Sequence, residues 1–319
     1  MHEDFSMSAK IPGLTEASDS MKSAVSPASK LLRCFHFLVK AFMIALILVL
    51  VIAYIWFSPP VLTRFNPGFL LFPFPAGEEY AISTIDGITR DDVYFTNSAG
   101  SKLNGWFFQS PNQSAPVVLI SHGNAGNISN RLLLAQQILR AGGSVFVYDY
   151  SEFGKSEGQK SLIGLIADSQ AAFDYLTKTR KIAAPEIVVY GESIGGGPTC
   201  VLAQNNQVKA IILDSTFTSL LGVGKKRIGF FNVYPDFLQP YPAFNNSEIL
   251  KNKKVPLLVI HGMQDEVIPF SEGQDNFKIA AEPKRMAILP NSSHNDKRAD
   301  MEIYQSNVKE FLASLSHNK

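Results

Sequence analysis

Ser193 stands in Gly191-Glu192-Ser193-Ile194-Gly195, a G-x-S-x-G pattern that follows the apolar run "EIVVYG" and opens a helical stretch. Strand, sharp turn, helix is the setting in which a serine hydroxyl is lifted clear of the chain as a nucleophile. Glycine is common enough that the bare pattern arises by chance in about one chain in ten of this length, so its surroundings must decide. A serine hydroxyl is weak and needs a base. Of the six histidines, His2, His36 and His317 lie in tails or in an apolar segment, and His122 and His261 end strands beside glycine, in structural roles. His294, in the loop "NSSHND" after the last strand-like run, is placed to fold back over the serine. Asp265, in "HGMQDEVIP" just after the preceding strand, is the acid expected to orient the imidazole; Asp214, closing an earlier strand, is the second candidate. The order Ser193, Asp265, His294 is that of a nucleophile elbow on a parallel sheet. The chemistry also needs donors for a developing oxyanion. The small residues of "SHGNAGN" (121–127) expose main-chain amides there, so the N–H of Asn124 and the N–H of Ile194 are the expected pair.

These residues need a frame. Beyond Gly77, short β-branched or aromatic runs alternate with helical patterns. "DVYFTN" and "LNGWFFQ" read as an opening antiparallel pair, followed by "PVVLIS" (116–121), "SVFVYDY" (144–150), "EIVVYG" (186–191), "VKAIILDS" (208–215), "VPLLVIHG" (255–262) and "RMAILP" (285–290). Near-continuous apolar runs are the mark of strands buried on both faces. Helical patterns at 130–141, 162–179, 195–204, 271–280 and 300–315 separate them, which predicts a mostly parallel eight-stranded sheet with helices on both faces. Ligands of such sheets bind beyond the carboxyl ends of the strands, where Ser193 falls. The segment 216–254 breaks the alternation with an aromatic and proline-rich insertion. It reads either as a lid over an acyl pocket or as a helical patch covering the sheet.

The first 77 residues are different material. Residues 1–30 are polar and small, a disordered tail. Ala41–Phe57 then runs for 17 residues without a charge, inside a candidate transmembrane segment at 31–57. Counting back to Phe35 gives 23 residues interrupted only by His36 and Lys40, and a helix of that length spans about 30 Å of hydrocarbon if Lys40 snorkels to the interface. The long preceding tail and the lack of a small-x-small cleavage site favour an uncleaved signal anchor over a signal peptide. Residues 21–40, ahead of the uncharged run, carry Lys22, Lys30, Arg33 and Lys40, and residues 58–77 carry only Arg64, so the positive-inside rule keeps the N-terminus cytoplasmic and sends the domain across. The next stretch, "SPPVLTRFNPGFLLFPFPAG" (58–77), is a stiff linker that lies on the membrane surface or packs on the domain.

The formal net charge of +1 gives no broad basic surface for nucleic acid. Two cysteines, Cys34 and Cys200, make no disulfide framework. No H-E-x-x-H, C-x-x-C or dinucleotide-binding glycine motif in a suitable context calls for a metal or organic cofactor.

Together, "SHGNAGN", "YDYSEFGKSEG", "GESIGG", "HGMQDEVIP" and "SHND" resemble the α/β-hydrolase-fold serine hydrolases. The branch they resemble is membrane-anchored with an HGNAGN loop, and is similar to the "α/β hydrolase domain-containing" proteins and the serine aminopeptidase-like hydrolases of bacteria. The resemblance covers roughly 78–315, a catalytic domain expected at 78–319. It implies an ester, thioester or amide hydrolase acting on an acylated small molecule, lipid or protein, with the bilayer as its other partner. The chain departs from the pattern at Ser151-Glu152-Phe153, where relatives carry Arg-Gly-aromatic, and at Ser293, where they often carry glycine. The rival expectations are an aminopeptidase-like amide hydrolase, for which only Glu152 or Glu192 offers a fixed negative group, and a non-catalytic binding module on the same scaffold.

Overall fold

A computed structural model describes residues 26–58, 61, 68, 71–75, 78–227, 229–238, 242 and 244–315. Residues 1–25 of the tail expected at 1–30, and most of 58–70, lie outside them. Two units are distinct, 1–57 and 58–319.

The first unit is one helix, α1 (Pro27–Trp56, 30 residues). It starts four residues before the expected boundary because Ser26 caps it, its hydroxyl accepting from Ser29 N–H, and Pro27 supplies a preset φ at the first helical position. Its apolar window has mean hydropathy 2.8 with none of that window buried in the protein. Such a helix has the length and composition of a single-pass anchor or a signal sequence.

The second unit is built on a nine-stranded sheet rather than eight. A short β1 (Phe72–Pro73) precedes it; then come β2 (Thr84–Ile85), β3 (Ile88–Thr96), β4 (Lys102–Phe108) and β5 (Val117–Ser121). After a two-residue β6 (Ala125–Gly126) follow β7 (Ser144–Tyr148), β8 (Ile187–Glu192), β9 (Ala210–Asp214), β10 (Leu257–Gly262) and β11 (Lys284–Leu289). The sheet order is β11-β10-β9-β8-β5-β7-β4-β3-β2, with β5 and β7 to β11 parallel and β2, β3 and β4 antiparallel at one edge. The extra strand is β2, too short to carry any periodicity.

Alternation along each strand feeds two cores. Val117, Leu119, Val189, Ile211, Leu213 and Val259 point to one face, under α3 (Leu162–Asp174), α4 (Gly196–Asn205), α6 (Asn246–Asn252) and α7 (Phe270–Ile279). Val118, Ile120, Val188, Ile212, Leu258 and Ile260 point to the other, under α2 (Leu132–Arg140) and α8 (Met301–Ser314). Each such side chain, fully buried, contributes roughly 1.5–3 kcal/mol. That rigidity is what the loops beyond the strand ends are mounted on.

The insertion folds as α5 (Leu220–Arg227), two 3₁₀ turns (Gly229–Val233 and Asp236–Leu238) and α6. Its Phe217, Val223, Phe231, Tyr234 and Phe244 are buried. The end of the expected linker also belongs to the domain. Leu71 is in the core, and β1 pairs in parallel with β6. Of the two readings of 58–77, packing on the domain holds for the described residues 71–75.

Candidate active site

The turn after β8 is strained where the motif requires it. Ser193 sits at φ +53°, a region that side-chain-bearing residues rarely occupy. The surroundings hold it there. Thr216 Oγ1 donates to Ser193 O at 2.7 Å, and the 3₁₀ turn Ser193–Gly195 runs straight into α4. The flanking glycines are obligatory on steric grounds. A Cβ on Gly191 would meet Gly196 Cα at 2.6 Å, and one on Gly195 would meet Ser121 O at 2.1 Å. The turn therefore packs against β5 with no space for a side chain at Gly191 or Gly195, while Ser193 stays partly exposed.

His294 reaches it from the loop after β11. Its Nε2 lies 3.0 Å from Ser193 Oγ, and its Nδ1 lies 2.7 Å from Asp265 Oδ2. The loop is pinned from beneath, because Asp300 accepts from Asn291 N–H at 2.7 Å and from Ser292 Oγ at 2.7 Å. Asp265 is fixed in turn: its Oδ1 accepts the N–H of Val267 (2.9 Å) and of Ile268 (2.7 Å). Burial alone raises the Asp265 carboxyl. The hydrogen bonds from His261, His294 and Ile268 N–H outweigh it and hold the group well below the usual carboxylate range. An ionised Asp265 favours the Nδ1–H tautomer of His294 and leaves Nε2 to accept a proton from the serine.

The second candidate acid has other partners than His294. Asp214 Oδ2 takes the Tyr190 hydroxyl at 2.5 Å and Lys297 Nζ at 2.6 Å, and its Oδ1 takes Ser215 Oγ at 3.0 Å. The two strand-end histidines are fully buried. His122 Nδ1 donates to Gly123 O at 2.7 Å, and His261 Nε2 donates to Ile268 O at 2.9 Å, 3.4 Å from Asp265 Oδ2.

Gly123, Asn124, Ser193, Ile194 and His294 border one cavity of about 920 Å³. Ile194 is at the start of its turn, where helical geometry gives an N–H no acceptor within the helix. Asn124 lies in the loop between β5 and β6. That loop is braced by Glu192, whose Oε2 accepts Gly123 N–H at 3.1 Å and Arg131 Nε at 2.7 Å, while Arg131 also donates to Ala125 O at 3.1 Å. Burial raises the Glu192 carboxyl, but the charges of Arg131 and Lys297 and the Gly123 N–H prevail and bring it down to about 2. Sequence reasoning named Glu192 only as a possible ammonium site and missed Arg131 and Lys297 entirely. Their partners lie 61 and 83 residues away, beyond any local signal. Glu152 pairs with Lys160 at 3.4 Å on the surface.

The cavity straddles the ends of the strands. On the insertion side it is mostly apolar, lined by Phe217, Leu220, Leu221, Val223 and Phe231, with the exposed Arg227 as the charged residue there. On the α2/α8 side it carries Arg131, Glu192, Asp214, Lys297 and Tyr304. Among the described residues no cluster of His, Cys, Asp or Glu has the makings of a metal site.

A parallel sheet with a strained serine beyond its central strand defines the α/β-hydrolase fold. The family model for that fold matches residues 116–248. The chain is 33% identical to the YfhR protein of Escherichia coli K12 over 238 residues, covering 72% of this chain and 82% of that one. It is 32% identical to the α/β hydrolase domain-containing protein WAV2 of Arabidopsis thaliana over 252 residues, covering 72% and 80%. The chain belongs to the α/β-hydrolase family. An esterase of Pyrococcus furiosus shares the fold at TM-score 0.61 with 21% identity, over 76% of this chain and 97% of its own.

Proposed function

We propose that this hydrolase is a serine esterase or thioesterase, held at a membrane by α1, that acts on acyl substrates through an acyl-enzyme. The observation that carries the reading is the hydrogen-bonded series Ser193 Oγ, His294 Nε2, His294 Nδ1, Asp265 Oδ2 at the cavity wall. In this reading His294 Nε2 takes the hydroxyl proton as Ser193 Oγ bonds to the substrate carbonyl carbon. The carbonyl oxygen becomes an oxyanion and accepts from the N–H groups of Asn124 and Ile194. His294 then gives its proton to the leaving alcohol or thiol as the carbon–heteroatom bond breaks. Water, deprotonated by the same imidazole, attacks the acyl-enzyme and releases the carboxylic acid. Asp265 remains ionised throughout and holds the imidazolium.

The apolar half of the cavity supports an acyl substrate, since a dry fitted wall gains about 0.8 kcal/mol for each methylene it buries. Lys22 and the basic residues of the N-terminal part of α1, Lys30, Arg33 and Lys40, support a cytoplasmic N-terminus with the domain on the opposite side. The test is covalent labelling by a fluorophosphonate with peptide mapping. The label is expected on Ser193, and Ser193→Ala should abolish labelling and ester hydrolysis in a protein that still melts cooperatively. Labelling of a different serine in the parent protein overturns the assignment.

A further inference from the structure

The segment preceding the hydrolase core is bonded into the site itself. Its main chain and the loop after β5 hold each other through a short parallel ladder and through side-chain bonds from the loop. Phe72 pairs with Ala125 and Pro73 with Gly126 in a parallel register. Phe72 N–H donates to Asn124 Oδ1 at 3.1 Å, and Phe74 N–H donates to Gly126 O at 3.2 Å. Asn127 Nδ2 donates to Phe74 O at 3.3 Å and Pro75 O at 3.0 Å. The strap is fixed on its far side as well, because Gly154 N–H donates to Phe74 O at 3.0 Å. The loop it grips is tightly made. Gly126 is at φ +84°, and a Cβ there would meet Asn130 Oδ1 at 2.2 Å. Phe72 and Phe74, more than half exposed, border the cavity.

We propose that Phe72–Pro75 is a positioning segment of the active site, whose main chain holds the Gly123–Gly126 loop so that the Asn124 N–H is aimed at the substrate oxygen. The proposal rests on the hydrolase reading of Ser193. Its physical basis is the narrow tolerance of such donors. They must lie about 2.7–3.1 Å from where the oxyanion forms, and a misplacement near 1 Å costs on the order of a hundredfold in rate. Glu192 and Arg131 hold the loop from the side of the nucleophile; the strap holds its other edge, and the Asn124 side chain is one of the bonded atoms. The domain thus extends functionally to Leu71, ahead of the boundary the strand pattern gives at 78. The same chain that leaves α1 reaches the site as this strap.

Two substitutions in the full-length protein release the strap independently. Asn124→Ala removes the acceptor for Phe72 N–H and keeps the Asn124 main chain. Asn127→Ser removes the donors to Phe74 O and Pro75 O and keeps a hydroxyl to cap the turn that follows. Three quantities are read in detergent micelles: amide exchange of 123–126, kcat and KM on a soluble butyrate ester, and the rate of fluorophosphonate labelling at Ser193. The expected result is at least tenfold faster exchange of 123–126 in both variants. kcat should fall by about ten- to a hundredfold, KM should stay within about twofold, and labelling should slow by the same factor as kcat. Exchange unchanged from the parent, or a loosened loop with parental kcat and labelling, overturns the proposal. A parent protein that takes no label at Ser193 defeats the hydrolase reading instead, and the exchange result then decides by itself whether the strap orders the loop.

Discussion

Replacing Asp265 by asparagine separates the two candidate acids, and the outcome follows from where each oxygen sits. Asp265 Oδ1 accepts two main-chain amides, from Val267 and Ile268, so an asparagine must put its carbonyl oxygen there. Its NH₂ group then takes the Oδ2 position, 2.7 Å from His294 Nδ1. An amide NH₂ only donates, so Nδ1 becomes the acceptor and the imidazole proton moves to Nε2. That nitrogen faces Ser193 Oγ at 3.0 Å with no lone pair to offer. The wrong tautomer costs about 10⁴-fold in kcat in the serine protease triad, or roughly 5.5 kcal/mol at 1.36 kcal/mol per decade. A comparable fall in kcat/KM is expected here in a protein that still unfolds cooperatively, because both main-chain bonds survive. Asp214→Asn should do the reverse. It strips the anion from Lys297, whose side chain is largely buried, and the expected cost is about 2 kcal/mol or 4–8 °C in Tm. Its kcat/KM should stay within tenfold of the parent. The assay is initial rates on a soluble short-chain ester beside calorimetry. Asp265→Asn retaining more than a tenth of the parental kcat/KM, or Asp214→Asn losing more activity than it, would refute the tautomer argument.

Glu192→Gln should change the acid limb of stability. The folded carboxyl sits near 2 against about 4.3 unfolded, so its contribution is present above pH 5 and lost as pH falls from there towards 2. The stability difference between parent and variant, from denaturant unfolding at pH 6, 4 and 3, is expected to shrink with falling pH; a constant difference refutes the assignment. For substrate length, four added methylenes should raise kcat/KM by up to about a hundredfold, roughly 3 kcal/mol, and Val223→Phe, which fills the apolar half, should flatten that series. A parental series from two to twelve carbons that is itself flat defeats the acyl-pocket reading. Protease added to the non-cytoplasmic side of sealed membranes should digest the domain and spare residues before α1; a protected domain reverses the orientation drawn from Lys22, Lys30, Arg33 and Lys40.

The sheet was legible because its central strands are buried on both faces, so "VVLI", "VFVY" and "AIIL" have no polar residue to confuse the reading. The convergence of Ser193, Asp265 and His294 was legible for a related reason. In a parallel sheet every strand ends on the same side, so loops after β8, β10 and β11 must meet there whatever their separation in the chain. Strands of two residues were not legible. β1 and β2 have no period, and Pro73 argues against a strand on propensity alone; it is tolerated because β1 pairs only at one edge. The ion pairs of the site were equally hidden. Whether Glu192 faces an arginine or a substrate depends on α2 packing beside the turn, which composition does not encode.

That pairing bears on what the cavity is suited to hold. Its three lining carboxylates, Glu192, Asp214 and Asp296, each have a cation at 2.6–2.7 Å, supplied by Arg131, Lys297 and Arg298. The Asp296–Arg298 pair is solvent-exposed, but at Glu192 and Asp214 a substrate ammonium would have to displace a guanidinium or lysine already in contact, and would leave that cation without a partner in a partly buried wall. Removing one member of such a pair is costly because the other stays desolvated. Glu152, the other carboxylate that an aminopeptidase reading can call on, is not part of the cavity wall and already has Lys160 beside it. An uncharged ester or thioester carbonyl makes no such demand. It needs main-chain donors beside Ser193 and an apolar surface for its chain, and the insertion contributes that surface within the same cavity. The electrostatics of the wall therefore favour a neutral acyl group over an amino-terminal one, although both would use the same nucleophile.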